Sequence, residues 1–347
     1  MTTRKTDEKA DTKTVNLALQ GGGSHGAFTW GVLDTLLADG RIDVEGISGT
    51  SAGAMNGAVL AYGLATGGRE TARELLEVFW RRVSGQFTWG PIQPTLFGLT
   101  GNPNLEYMPL YAGFDMMIRV MSPYLFNPMD YNPLREILTG VIDFKTLREI
   151  QAPRLYVNAT NVSRGKLRVF AGPEISVEAL MASSCLPFLW QAVEIEGEAY
   201  WDGGYMGNPT LYPLIHACNA RDVLVVQINP ITRESVPMTP TAIVDRMNEI
   251  SFNSTFLREV KALELINRLL RQTGVEEGEC GLRSVFLHLI GDEEHMRHYT
   301  VSSKLNTDYG FICHLRDLGR DSARLWLDRN FERIGQESTF VVDSMMA

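Results

Sequence analysis

Two short apolar runs, each emptying into glycines and each followed by a helix-like stretch, set the main constraint on this chain. Val15 to Gln20 (VNLALQ) runs straight into Gly21-Gly22-Gly23. From Ala27 to Ala38, Phe28, Val32, Leu33, Leu36 and Leu37 then recur at helical spacing until Gly40 closes the pattern. A second short strand, Val44 to Ser48, meets Gly49-Thr50-Ser51-Ala52-Gly53 and a helix of very small residues that reaches about Gly63. Strand, helix, strand, helix in so little chain is the rhythm of a parallel sheet with helices on its faces. The expected fold class is therefore α/β, a three-layer α/β/α arrangement around a central, mostly parallel sheet.

Later segments fit that frame. Residues 69–83 have the pattern of an amphipathic helix, and Asn132-Pro133 caps a helix running through Leu138. Arg154 to Asn158 and Leu167 to Phe170 read as strands, a helix starts near Ser176, and further buried strands lie in 221–229 and 285–290. Residues 254–271 place Phe256, Val260, Leu263, Ile266, Leu269 and Leu270 on one face of a core helix, and 322–334 reads as the last helix. Residues 85–131 are dense in aromatics and Met, broken by Pro and Gly. They read either as irregular cover on the core or as an apolar cap over a hydrophobic pocket, with Phe97 and Met117 meeting the pocket's occupant. The expected layout is a disordered tail at 1–14, one domain over 15–335 with 85–131 as its cap, and a C-terminal tail at 336–347.

Composition narrows the function. Lys plus Arg number 32 against 41 Asp plus Glu, a net charge of −9, so the chain carries no basic footprint for nucleic acid. The same charge gives no attraction to anionic membranes, which leaves transient apolar contact as the route to a lipid surface. Cys185, Cys218, Cys280 and Cys313 are widely spaced without a CxxC pair and read as reduced thiols of a cytoplasmic protein. The polar first residues contain no signal-peptide core, and no apolar stretch is long enough to span a bilayer. The expected location is cytoplasmic, peripheral to membrane if in contact with it at all.

Three local patterns carry chemistry. Gly21-Gly22-Gly23-Ser24-His25-Gly26 lies between a strand and a helix, where bare backbone N–H groups and a helix N-terminus stabilise an anion. Gly21, Gly23 and Gly26 also satisfy a dinucleotide fingerprint, but Asp43 and Glu45 precede the second strand instead of ending it, the wrong place for a ribose. Gly49-Thr50-Ser51-Ala52-Gly53 matches GxSxG in the strand-to-helix context of a nucleophile elbow. Asp202-Gly203-Gly204 follows Ala199-Tyr200-Trp201 at a strand end, downstream of Ala182-Ser183-Ser184-Cys185-Leu186-Pro187-Phe188.

Taken together, the glycine loop, GxSxG, the ASS-x-x-P segment and DGG resemble the patatin-like phospholipase family, in that family's order. The resemblance implies Ser51 as nucleophile, Asp202 as its general base, and an oxyanion hole from the N–H groups of Gly22 and Gly23, within the loop Gly21, Gly22, Gly23. Gly26, Gly49, Gly53, Gly203 and Gly204 would support these motifs. It implies a lipid or fatty-acyl ester as substrate and no metal or organic cofactor. Of the six His, only His295 and His298 have ligand spacing, without further nearby ligands. One departure stands out: the family loop usually ends in Arg-Gly, and here His25 precedes Gly26, which bears on head-group preference. Two alternatives stay open at this level. One is a Ser-His-Asp esterase using His216, His288 or His314; the other is a non-catalytic lipid- or nucleotide-binding protein.

Overall fold

Along β1, Val15, Leu17 and Leu19 bury into one apolar cluster while Ala18 buries into another, so the strand is covered on both faces. β7 repeats the pattern, with Leu224 and Val226 on one side and Val223 and Val225 on the other. This period of two dictates a sheet sandwiched between helices. The computed structural model describes residues 12–86, 101–233, 235–273 and 283–340.

Among these residues the strands are β1 (Lys13–Leu19), β2 (Ile42–Thr50), β3 (Arg154–Asn161), β4 (Lys166–Ala171), β5 (Val193–Ile195), β6 (Glu198–Asp202), β7 (Asp222–Val226) and β8 (Phe286–Ile290). The helices are α1 (Gly26–Asp39), α2 (Ala52–Gln86), α3 (Pro109–Val120), α4 (Pro123–Phe126), α5 (Leu134–Thr139) and α6 (Phe144–Glu149), followed by α7 (Val177–Ser183), α8 (Tyr212–Ala217), α9 (Pro240–Thr273), α10 (Glu293–Met296) and α11 (Tyr309–Asn330). Hydrogen-bonded neighbours run β5-β6-β3-β2-β1-β7-β8, and β4 pairs with β3 as well. The central strands β3, β2, β1, β7 and β8 are mutually parallel; β4, β5 and β6 pair antiparallel. One face packs against α1, α2 and α11 through Phe28, Trp30, Leu76, Phe79 and Phe311, and the other against α8 and α9 through Leu214, Phe256 and Val260. The fold is thus the expected α/β sheet with helices on both faces.

Several boundaries differ from the sequence reading. β1 begins at Lys13, two residues inside the expected tail, because Lys13 pairs with Ile42 of β2 and its ammonium reaches the Phe331 carbonyl at 3.0 Å in the turn after α11. α2 is one element interrupted at Gly68 (φ 80°, ψ −160°), which separates the two helices read at 52–63 and 69–83. The last helix starts at Tyr309, not Ser322; its first turns bury Phe311, Ile312 and Leu315 against α1. The helix read at 254–271 is the second half of α9, and Leu269 is exposed there, off the buried Phe256–Val260–Leu263 face. The cap segment is not irregular where it is described: α3 and α4 occupy much of 109–126, while Phe97 lies outside the described residues. At the other end, the backbone N–H groups of Thr339 and Phe340 donate to Leu287 of β8.

Candidate active site

β2 delivers Ser51 and β6 delivers Asp202, and β3 explains why they meet. One edge of β3 is filled by β4 from Tyr156 to Asn161. On the other edge, β2 ends with Thr50 opposite Asn158, and the next residue, Ala159, is opposite Asp202 of β6. The two strands therefore run toward each other along a single edge and end nose to nose, about one residue rise (~3.3 Å) apart along β3. Ser51 turns out of this junction with φ 52°, a conformation non-glycine residues rarely hold, and lines the same cavity as Asp202. Its N–H donates to the Ser183 hydroxyl at 2.9 Å, which gives the ASS segment a place in the elbow.

Asp202 is fixed along its backbone: its N–H donates to the Cys185 carbonyl at 2.8 Å and its carbonyl accepts from the Thr160 hydroxyl at 2.8 Å. Its carboxylate accepts the Gly204 N–H at 2.7 Å. A side chain on Gly203 would collide with the Asn158 carbonyl, so the space this glycine saves is against β3. Burial pushes the Asp202 carboxyl up to about 6, against the pull of the Gly204 N–H, the Ser51 hydroxyl and the Lys304 charge.

The glycine loop follows β1, whose Leu19 pairs with Gly49 of β2, so loop and elbow sit side by side at the strand ends. Its three glycines divide their work. The Gly21 N–H is already given to the Asn208 side chain at 2.6 Å, and the Gly21 carbonyl accepts from Asn229 at 2.7 Å. Gly21 therefore anchors the loop and is not available as an oxyanion donor, a correction to its grouping with Gly22 and Gly23. Those two N–H groups have no protein acceptor among the described residues, and both glycines line the cavity in front of Ser51. Gly23 has φ +58°, and a Cβ there would run into the Lys304 carbonyl.

Lys304 carried no signal in the sequence, yet the turn Val301–Leu305 brings it to the floor of this cavity. Its ammonium donates to Asn229 at 2.7 Å, and Asn229 in turn holds Gly21. Burial pushes its pKa down, opposed by the nearby Glu249 carboxylate. His25, at the position of the family's Arg, points elsewhere: it is buried, shares a 2.7 Å hydrogen bond with the Ser303 hydroxyl, and packs beside Tyr299 and Phe311. Burial, then the charges of Lys304 and Arg233, holds His25 well below its ordinary pKa, so it is neutral. A cation at the floor of the cleft comes from Lys304.

The cavity holds about 540 Å³, well within the size range of small-molecule sites. One wall is apolar, with Met55, Phe79, Trp80, Leu186, Leu189 and Trp190. α3 contributes Tyr111 and Ile118, and α9 contributes Val244 and Phe252. Met117 does not line the cavity; the helical turn of α3 places Ile118 there instead. The alternatives fare differently. Asp43 pairs with Arg69 at 2.6 Å and Glu45 accepts from Asn219 and Ala220, both at the far end of β2 from the glycine loop. His288 is tied to Asp222 at 2.8 Å inside the sheet, His314 to the Tyr299 hydroxyl at 2.8 Å, and His216 packs on Tyr212; none of the three lines the cavity.

The model of the patatin-like phospholipase family matches residues 17–215, more than half the chain and all of the motifs above. The chain belongs to the patatin-like phospholipase family. Among solved structures, VipD from Legionella pneumophila is similar at 16% identity over 90% of this chain and 66% of that one, with a TM-score of 0.39. The heterodimeric ExoU–SpcU complex from the type III secretion system of Pseudomonas aeruginosa gives 18% identity over 71% of this chain and 51% of that one, with a TM-score of 0.33. The patatin-like chain thus spans about two thirds of the first protein's length and about half of the second's. A comparison with curated proteins gives no match. No helix among the described residues is long and apolar enough to cross a membrane.

Proposed function

We propose that this patatin-like protein is a serine acyl hydrolase that cleaves fatty-acyl esters of lipids through a Ser51–Asp202 dyad. The observation that carries the reading is that Ser51 and the buried Asp202 come from strand ends meeting on one edge of β3 and line one largely apolar cavity, with no imidazole among the described residues lining it. Ser51 Oγ attacks the acyl carbonyl while Asp202 takes the hydroxyl proton. The developing oxyanion accepts from the N–H groups of Gly22 and Gly23 and from the start of α2. On collapse the C–O bond to the alcohol breaks, and Asp202 returns its proton to the leaving oxygen. Water, deprotonated by the same carboxylate, then attacks the acyl-enzyme; the fatty acid departs and Ser51 regains its proton. A carboxyl near 6 is a stronger base than an ordinary aspartate and is still ionised at neutral pH.

A fluorophosphonate probe on the purified chain tests this directly. Stoichiometric labelling, lost in Ser51→Ala, together with abolished ester hydrolysis in Ser51→Ala and Asp202→Asn, is the expected result. Gln in place of His216 or His314 leaves hydrolysis within about tenfold, since removing a general base costs ~10²–10⁴-fold. A well-folded His variant with a thousandfold loss hands the mechanism to a triad, and an unlabelled, inactive wild type makes the protein a binding module.

A further inference from the structure

The first half of α9 is inside out. Between Pro240 and Phe252 its charged residues Asp245, Arg246 and Glu249 turn toward the protein. Asp245 and Glu249 line the cavity, and Arg246 is held by Glu249 at 3.1 Å and by the Ile231 carbonyl at 2.8 Å. Its apolar residues Ile243, Met247 and Ile250, spaced i, i+4, i+7 on one helical face, are exposed, Met247 by 64%. A helix on a water-facing wall has the opposite pattern. α3, which lines the same cavity, does likewise: Tyr111, Asp115 and Ile118 face the cavity while Met116 (69% exposed) and Val120 (77%) face out. Its Asp115 and Arg119 neutralise each other at 2.8 Å.

Two residues join these outer faces to the inside. Phe188 is 59% exposed and Val244 is exposed as well, yet both also line the cavity, so they sit at its mouth. Beside Phe188, the Ala192 N–H donates to the Tyr124 hydroxyl at 3.2 Å, which brings the exposed Tyr124 and Leu125 to the same side. The apolar lining residues Ile118, Phe188, Val244 and Phe252 therefore lie beside an apolar rim built from α3, α4 and the first half of α9, while the charged lining residues Asp115, Arg119, Asp245 and Glu249 belong to the inward faces of the same helices. Contiguous exposed patches of this kind mark contact surfaces.

We propose that this rim is a docking surface for a lipid bilayer, on which the cavity mouth opens directly into the acyl-chain region. The reading rests on the acyl-hydrolase function above and adds where the substrate's surface sits. The rim's own charges are paired or turned inward and the chain carries −9 overall, so the contact is apolar and suits zwitterionic lipid; anionic lipid adds nothing. An acyl chain then passes from bilayer to cavity with no exposure to water. That advantage is peculiar to a lipid surface and would not follow from a protein seated there.

The full chain carrying Ser51→Ala, which leaves vesicles intact, is sedimented with phosphatidylcholine vesicles, with and without added phosphatidylglycerol, at low and high salt. Binding to phosphatidylcholine that neither salt nor phosphatidylglycerol changes is expected. The pair Val120→Glu and Met247→Glu weakens it at least about tenfold. Leu325→Glu, an exposed apolar position on α11, binds as the parent does. With Ser51 restored, the rim pair hydrolyses a soluble butyryl ester at the wild-type rate, which reports an intact fold. No binding by the parent, binding that requires phosphatidylglycerol, unchanged binding by the rim pair, or a dimer of the parent that the pair dissolves would each overturn the proposal. If the Ser51→Ala protein binds vesicles while wild type hydrolyses no ester, the hydrolase reading fails and the rim stands.

Discussion

The strand-end junction and the outer wall of the cavity obey different rules. At the junction, backbone decides: Thr50 and Asp202 end on one edge of β3, Ser51 holds φ 52°, and Gly23 admits no Cβ against Lys304. On the wall formed by α3 and the first half of α9, quantity of apolar surface decides on the outer faces and at Ile118, Val244 and Phe252, while the inward Glu249 is held by Arg233 and Arg246. A site that must place a proton to within a fraction of an ångström is built from close backbone contacts, and one that must accommodate a flexible chain is built from adaptable side chains. The contrast predicts abrupt losses in the first region and graded ones in the second.

Gly23→Ala is the sharpest test of the first half. Its Cβ meets the Lys304 carbonyl and its φ of +58° disfavours any side chain, so the loop must withdraw and take the neighbouring donors with it. Losing an oxyanion donor costs ~10²–10³ in kcat, so at least about a hundredfold drop on a soluble ester is expected, alongside a lowered melting temperature because alanine at this φ strains the folded loop. Near wild-type turnover in this variant means that the loop amides do not hold the oxyanion.

Asp202→Asn separates stability from turnover. The folded carboxyl lies near 6, above its ordinary 3.8, because burial disfavours its charge. Folding therefore favours the protonated form: stability is full below the ordinary value and declines as pH rises through about 6. Asparagine carries no charge to bury and still accepts the Gly204 N–H. At pH 8 the inactive variant should be more stable than wild type by up to about 3 kcal/mol in urea unfolding, with the gap closing toward pH 4. An Asn variant that is less stable at pH 8 would mean that hydrogen bonds to the carboxylate outweigh its burial.

On the wall, Ile118→Asp puts a charge beside the apolar lining of the cavity. Long-chain esters should lose about tenfold in kcat/KM, the value of one well-buried aliphatic side chain, while butyryl esters stay within about twofold. An equal loss on both would place Ile118 in structural support and not along the acyl path.

How much of this was legible in the sequence follows the same division. β1, the loop, β2 and the elbow could be read because each is a run of adjacent residues whose types are dictated locally: apolar run, glycines, GxSxG, small helix. The three-layer arrangement followed from that rhythm. Asp202 was legible through its glycines, but the reason it meets Ser51 was not, since that depends on β2 and β6 sharing one edge of β3 while β4 takes the other. The separate job of Gly21 was hidden because Asn208, its acceptor, lies far along the chain. α3 was missed because Pro109 opens it and its outward Met and Val blur the helical period that burial normally imposes. The α9 extension to Pro240 was missed for the same cause, an inverted pattern that reads as no pattern.

Lys304 joins the two regions, and it gives the smallest predicted effect. Its carbonyl packs under Gly23, its ammonium holds Asn229, and its charge is one of the influences that draw Asp202 down. Sequence offered only a neutral His25 where the family carries Arg; the folded chain brings a cation in from the turn at 301–305. Lys304→Met removes that cation from beside Asp202, which in the proposed mechanism must be ionised to act as base. The Asp202 carboxyl then rises further, and the acid limb of kcat/KM, expected near pH 6 in wild type, moves to higher pH. At pH 6 the variant is several-fold slower. By pH 8 Asp202 is ionised in both proteins and the rates converge, apart from the loosened Asn229. Lys304→Arg keeps the charge and should leave the limb in place, whereas loss of the cation alone is what moves it. If Lys304→Met lowers activity equally at every pH, the lysine acts by bracing the loop and the tuning of Asp202 belongs to burial alone.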